Sequence, residues 1–344
     1  MAKKAAASTK KADHVKAVFD AINKALGKGS VTLLREGLQI QSVEHVIPTG
    51  VEVIDNFLFS IGGLPAGRIV ELFSEEGGGK TSLGYSFLAA AQRAGGLAAL
   101  WDSEQSFDPE RAQLFGVNTN DLLLAQPDHI EELLEGVDVF LRTLEAEKDV
   151  GPSVIVWDSI AAASTKAEFE EGFDTKEHAA KKAAALSRAM RIIGPRIKRS
   201  KVCMVCINQL REKVGVVFGN KDTTPGGKAV KFHASLRLQL LGGKAVKDNK
   251  TNDHIAKVIT FLVVKSRFSP PYRKALVRLD YASGWNNAWT TLSHAKDRGV
   301  IAKDTKMSTK AYKESVAALG WDVPENVEVA NALLDETETT EASE

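Results

Sequence analysis

Residues 71–82 read ELFSEEGGGKTS. A strand-like run, Arg68 to Phe73, leads into the turn, and Leu83, Phe87, Leu88 and Ala91 follow at helical spacing. Strand, glycine-rich turn and helix form the setting of a phosphate-binding loop. Glycines let backbone N–H groups curl around β- and γ-phosphates, Lys80 adds a cation, and the Thr81 hydroxyl can hold Mg²⁺. The helix would point its positive end at the anion. Ser74 stands where the GxxxxGK[ST] pattern begins with glycine. The competing reading is a glycine-rich turn before an ordinary helix. Three consecutive glycines in this context favour the phosphate loop.

Outward from the loop, strand-like runs recur at Leu97–Trp101, Leu122–Ala125, Val154–Trp157, Val202–Ile207, Leu236–Leu241 and Val258–Val264. Helical patterns separate the early ones, which predicts an α/β fold with a mainly parallel central sheet flanked by helices. The clearest helix spans about 176–199, where Ala179, Ala183, Leu186, Met190, Ile193 and Ile197 share a stripe. Upstream, 1–12 is Lys/Ala-rich and expected to be disordered. Asp13–Leu26 reads as a short amphipathic helix within an N-terminal helix and linker, 13–45. The core is placed at 46–284, a small, more helical C-terminal domain at 285–333, and an acidic tail at 334–344.

A length of 344 residues suggests about two domains. The formal net charge of +1 excludes a globally basic protein, so any nucleic-acid surface must be local. No apolar run reaches 18 residues, and the basic N-terminus lacks an apolar segment. The expectation is a cytoplasmic protein without a membrane partner. Cys203 and Cys206 lie at i and i+3 in one strand-like run, on opposite faces, and read as buried thiols. The seven histidines show no metal spacing.

Ligands of such sheets bind outside the carboxyl ends of the strands. Those ends carry Asp102-Ser103-Glu104, Asp158-Ser159 and Asn208-Gln209. ATP hydrolysis needs a carboxylate near Mg²⁺, a group that positions or deprotonates water, and a γ-phosphate sensor. Asp158, Glu104 and Gln209 suit those roles in that order. Each alone has an ordinary alternative, such as a turn or capping residue.

The chain resembles bacterial-type RecA recombinases. The matching stretches are GKGS (27–30), GGLPAGRIVEL (62–72), the loop, DSEQSFDPERAQLFGV (102–117), VIVWDSIAA (154–162), INQLREKVGVVFGN (207–220) and TTPGGKAVKFHASLRL (223–238). The resemblance covers about 13–280 and implies a RecA-type ATPase core that forms helical filaments on single-stranded DNA. It implies pairing with homologous duplex and DNA-stimulated ATP hydrolysis. ATP and Mg²⁺ are the implied cofactors. Ser74, Glu75, Glu76, Gly77, Gly78, Gly79, Lys80, Thr81, Ser82, Asp108 and Arg111 are the implied ATP contacts, with Thr81 and Asp158 at the metal. Glu104 would activate water and Gln209 couple the γ-phosphate to DNA. Lys265 and Arg267 match two lysines supplied across the subunit interface. Ser187, Arg191, Arg211, Glu212, Val214, Gly215, Gly226, Gly227 and Lys228 match DNA-lining positions. Repressor and mediator partners are left unspecified.

A local charge count points the same way. Between Arg196 and Lys231 there are nine Lys/Arg against Glu212 and Asp222, in a glycine-rich stretch suited to a phosphate backbone. Gly226 and Gly227 would permit close backbone approach. Departures from the family pattern are Ser74, Glu212 in place of an apolar residue, Arg111 in place of an aromatic that stacks on adenine, and one extra residue in the loop at about 168–178. The N-terminal helix matches one that docks on a neighbouring subunit, and packing on its own core remains equally open. Two other classes stay open: a remodelling ATPase without homologous pairing, and a DNA-coating filament with little turnover.

Overall fold

The computed structural model describes residues 2–28, 30–31, 43–147, 149–171, 178–212 and 222–322. The chain divides into two units, 1–44 and 45–344. In the first, α1 (Ala2–Leu26) is one continuous helix. The stretch expected to be disordered before Asp13 is therefore helical, in keeping with the high helix propensity of Ala and Lys. Gly27 ends α1 at φ 103°, its N–H bonded to Asn23 O at 3.0 Å.

Among the described residues, the second unit is built on a nine-stranded sheet. Its strands are β1 (Ile69–Ser74), β2 (Ala98–Asp102), β3 (Leu122–Ala125), β4 (Val154–Asp158), β5 (Cys203–Gln209), β6 (Leu236–Lys247), β7 (His254–Ser266), β8 (Lys274–Asp280) and β9 (Gly284–Trp285). Their order across the sheet is β9-β8-β7-β6-β1-β5-β4-β2-β3. All neighbours from β6 to β3 are parallel. β7, β8 and β9 extend the sheet antiparallel. The switch has a local cause. The link between β6 and β7 is too short for the crossover that a parallel pair requires.

Both faces of the parallel part are covered. α2 (Lys80–Arg93) packs Leu83, Phe87, Leu88 and Ala91 against Val70, Leu72, Val156, Val205 and Ile207. On the other face, α4 (Ile130–Ala146) and α5 (His178–Arg199) bury Leu133, Val137, Leu141, Leu186, Met190 and Ile193 against Ile69, Ile155, Trp157 and Cys206. A short α3 (Pro109–Leu114) follows β2. Cys203 joins the first cluster and Cys206 the second, both fully buried and unbridged. Burial raises both thiols well above the ordinary range. They are packing residues.

Two further helices, α6 (Asn287–Asp297) and α7 (Thr309–Ala318), belong to the same compact unit as the sheet. The described part of the region expected as a small C-terminal domain, 285–322, lies within this unit. Tyr312 on α7 donates to Glu52 Oε1 at 2.5 Å, and Asn287 Oδ1 accepts from Glu52 N at 3.1 Å. No helix among the described residues is long and apolar enough to cross a membrane.

Candidate nucleotide site and nucleic-acid face

β1 delivers the chain to the loop, and α2 begins at Lys80. Gly77 and Gly79 take φ values of 65° and 87°, which side-chain-bearing residues rarely adopt. Gly78 is required by space, because a Cβ there would lie 2.1 Å from Ser74 Oγ. That hydroxyl folds into the loop. It donates to Glu75 O at 2.6 Å and accepts from Lys80 Nζ at 2.9 Å. Lys80 also donates to Glu75 O at 2.7 Å. Burial lowers the Lys80 pKa, opposed by Asp158, Glu104 and Glu76.

The strand ends converge on this loop. Thr81 Oγ1 donates to Asp158 Oδ2 at 2.6 Å. Asp158 closes β4, almost fully buried, and burial pushes its carboxyl up to about 6 against the Thr81 hydrogen bond and the Lys80 charge. The following Asp158–Ser159 peptide bond is cis, and Ser159 Oγ donates to Glu104 Oε1 at 2.6 Å. Gln209 Nε2 approaches the same oxygen at 3.4 Å. Glu104 itself is exposed. Lys80, Thr81, Glu104, Asp158 and Gln209 line a cleft of about 310 Å³. Its donor set suits a nucleotide with a hard divalent cation. The glycines leave a cradle that a Cβ would fill, and Thr81 and Asp158 present paired oxygens.

Glu76, Ser82 and Arg111 also line the cleft. Arg111 Nη2 donates to Ser82 Oγ at 3.0 Å, and its guanidinium lies 5.8 Å from the Phe115 ring centroid. Asp108 is not among the lining residues. It caps α3, accepting from Arg111 N at 3.1 Å. Glu75 meets Lys80 through its carbonyl.

Of the expected DNA-lining residues, Val214 and Gly215 fall outside the described residues. Arg211 is exposed and pairs with Thr223 in a two-residue ladder, where Glu212 pairs with Asp222. Gly226 and Gly227 have φ values of 84° and 72°. Added Cβ atoms would lie 2.7 Å from Leu186 Cδ1 and 3.0 Å from Ala183 Cβ. Both glycines thus lie close against α5. The same stretch of α5 carries Ser187 and Arg191, joined by an Arg191 Nη1 to Ser187 Oγ bond at 3.2 Å. Lys228 is exposed just beyond. The local basic excess is smaller than the count suggests. Arg196 pairs with Asp138, and Arg199 binds Glu145 through two bonds of 3.1 Å.

The RecA N-terminal domain family matches residues 13–286. The chain belongs to the RecA family. It is 37% identical over 353 residues to "Protein RecA, chromosomal" of Lactococcus lactis subsp. lactis (strain IL1403), covering 97% of this chain and 88% of that one. It is 39% identical over 282 residues to Protein RecA of Thermotoga neapolitana, covering 82% and 77%. Protein RecA of Thermotoga maritima is 38% identical over 280 residues, covering 81% and 76%. As a RecA-family recombinase the chain is a strand-exchange protein and a DNA-dependent ATPase of the phosphate-loop kind, binding single-stranded DNA and assembling with itself.

Within this RecA core, Lys265 and Arg267 lie away from the chain's own cleft. Lys265 Nζ donates to Lys231 O at 2.8 Å and Phe232 O at 3.0 Å. Arg267 lines a separate cleft with Arg191 and His233. Four lining residues of the nucleotide cleft escaped the sequence reading: Lys257, Ile259, Leu279 and Tyr281. Lys257 Nζ donates to Gly77 O at 3.1 Å. Its stem crosses β6 at Gly243, where a Cβ would lie 2.8 Å from Lys257 Cε. The Gly242-Gly243 pair inside a strand was the available signal, legible only once the β6–β7 register is known.

Proposed function

We propose that the chain couples Mg²⁺–ATP turnover to pairing of single-stranded DNA with homologous duplex, inside a cytoplasmic helical filament of its own copies. The observation that carries this reading is the convergence on one cleft of Lys80, the Thr81–Asp158 pair, and Glu104 with Gln209. Bound Mg²⁺–ATP supplies the phosphoryl group that passes to water. Lys80 exchanges its Ser74 and Glu75 partners for phosphate oxygens. Thr81 and Asp158 would hold the cation, and Gly77–Gly79 would turn backbone N–H groups toward the phosphates. Glu104, exposed beside Ser159, positions the attacking water and accepts its proton. Gln209 closes on the γ-phosphate end from the strand that leads into the DNA-binding segment.

A second element of the proposal is supply of Lys265 and Arg267 in trans. Lys257 sits at the cleft of its own chain, and Lys265 lies eight residues along the same strand. That separation is roughly 26 Å at about 3.3 Å per residue. Lys265 can therefore meet a phosphate only in another copy's cleft. Cations given in trans make hydrolysis depend on assembly.

The deciding experiment measures ATP hydrolysis with and without single-stranded DNA for the parent, Lys80→Ala and Glu104→Ala. Strong stimulation in the parent, lost in both variants, is expected. Hydrolysis indifferent to DNA would replace this reading with a remodelling ATPase. Tight DNA binding without hydrolysis would leave a coating filament.

A further inference from the structure

Glu71 is fully buried on β1, shortly before the phosphate loop. Its Oε1 accepts from Asn208 Nδ2 at 3.2 Å and from Thr224 Oγ1 at 3.3 Å, and its Oε2 accepts from Arg237 Nε at 2.5 Å. The partners come from β5, from the segment that leads to Gly226 and Gly227, and from β6. Asn208 continues the connections. Its Oδ1 accepts from Gln209 N at 3.1 Å, and its Nδ2 donates to Pro225 O at 3.1 Å. Arg237 stands opposite Lys265 in the β6–β7 ladder, its guanidinium 4.6 Å from the Phe73 ring centroid.

A carboxylate taken out of water is tolerated where donors satisfy it. Arg237, its register partner on the adjacent strand, supplies the charge. The two remaining donors have a different character. Asn208 precedes Gln209 and the expected DNA-lining positions 211–215, and Thr224 precedes those at 226–228, so Glu71 ties together the chain just ahead of both groups. The hydrogen-bonded sequence Thr224, Glu71, Asn208, Gln209, Glu104 is continuous, each link lying between 3.1 and 3.4 Å.

We propose that Glu71 is a positioning residue for DNA-stimulated hydrolysis, setting Gln209 against Glu104 according to where the Thr224–Gly227 segment stands. This rests on the recombinase reading of the cleft. Glu71 itself does not line the cleft, and it acts through Asn208. Engagement of DNA by Arg211 and the Gly226–Lys228 turn would shift Thr224 and Pro225. The carboxylate and the Asn208 amide, bonded to both, would carry that shift to the Gln209 backbone. The bridge is a coupling between two sites, which requires a change in their mutual response and no change in either alone.

Thr224→Val removes one hydroxyl and leaves the Glu71–Arg237 pair and Asn208 in place. Thr224→Ser keeps the hydroxyl. The experiment measures hydrolysis with and without single-stranded DNA, and DNA binding by anisotropy with a slowly hydrolysed ATP analogue. Thr224→Val is expected to lower the ratio of stimulated to unstimulated hydrolysis by about fivefold or more, the lower end of allosteric couplings. DNA affinity should stay near the parent's, and Thr224→Ser should keep the parent ratio. Glu71→Gln should behave like Thr224→Val, and the Thr224 pair decides alone if that variant fails to fold. An unchanged ratio in Thr224→Val overturns the proposal, as does a fall matched by lost DNA binding. A parent without DNA stimulation removes the recombinase reading and this inference together.

Discussion

Ser74 and Gly78 explain each other. The serine that breaks the expected glycine pattern fills the space that a side chain at position 78 would need. The departure is a compensated exchange inside the loop. Gly78→Ala should cost about tenfold or more in ATP affinity, ~1.4 kcal/mol, and adding Ser74→Gly should recover much of it; titration with a fluorescent ATP analogue reads both. Lys257 offers a second test. Removing its ammonium with Lys257→Met should weaken ATP binding by roughly 1.5 kcal/mol, the scale of one hydrogen bond to a charged group. Isothermal titration checks this, and an unchanged affinity would remove Lys257 from the site.

At the scale of elements, the apolar runs made β1, β2, β4 and β5 legible within a residue or two, because strands buried on both faces read as near-continuous hydrophobic stretches. β8 and the π-helical turn Val53–Phe59 went unread. The turn's conformation depends on Asp55, whose carboxylate accepts from Thr49 N at 2.9 Å, Thr49 Oγ1 at 2.7 Å and Gly50 N at 3.2 Å. Burial outweighs those donors and pushes Asp55 up to about 7. A carboxyl that binds its proton more tightly when folded adds stability below its unfolded pKa and loses that contribution as pH rises through the folded value. Relative to Asp55→Asn, the parent should lose roughly 1 kcal/mol per pH unit between about pH 5 and 7, as read from urea unfolding. The roles of Gly226 and Arg199 were likewise obscured by partners far away in sequence, Leu186 on α5 and Glu145 on α4. Arg199→Ala should therefore leave the salt dependence of single-stranded DNA binding unchanged, whereas Arg191→Ala should reduce the slope of log K against log salt by about 0.7 if it meets a phosphate. Anisotropy titrations over a salt series decide between them.

For the whole molecule, the fold class and the cleft were readable because phosphate loop and strand ends must meet at one edge of such a sheet. The proposed division between copies was legible only through the family resemblance at Lys265 and Arg267. It rests on β7, which carries Lys257 at one end and Lys265 at the other. With Lys265 and Arg267 supplied in trans as proposed, an open row of n copies would contain only n − 1 finished clefts, since one end would have no neighbour to contribute its cations. Turnover per subunit should climb with oligonucleotide length and level off, at half the plateau for two copies and nine-tenths for ten, whereas a closed ring would carry no such end deficit.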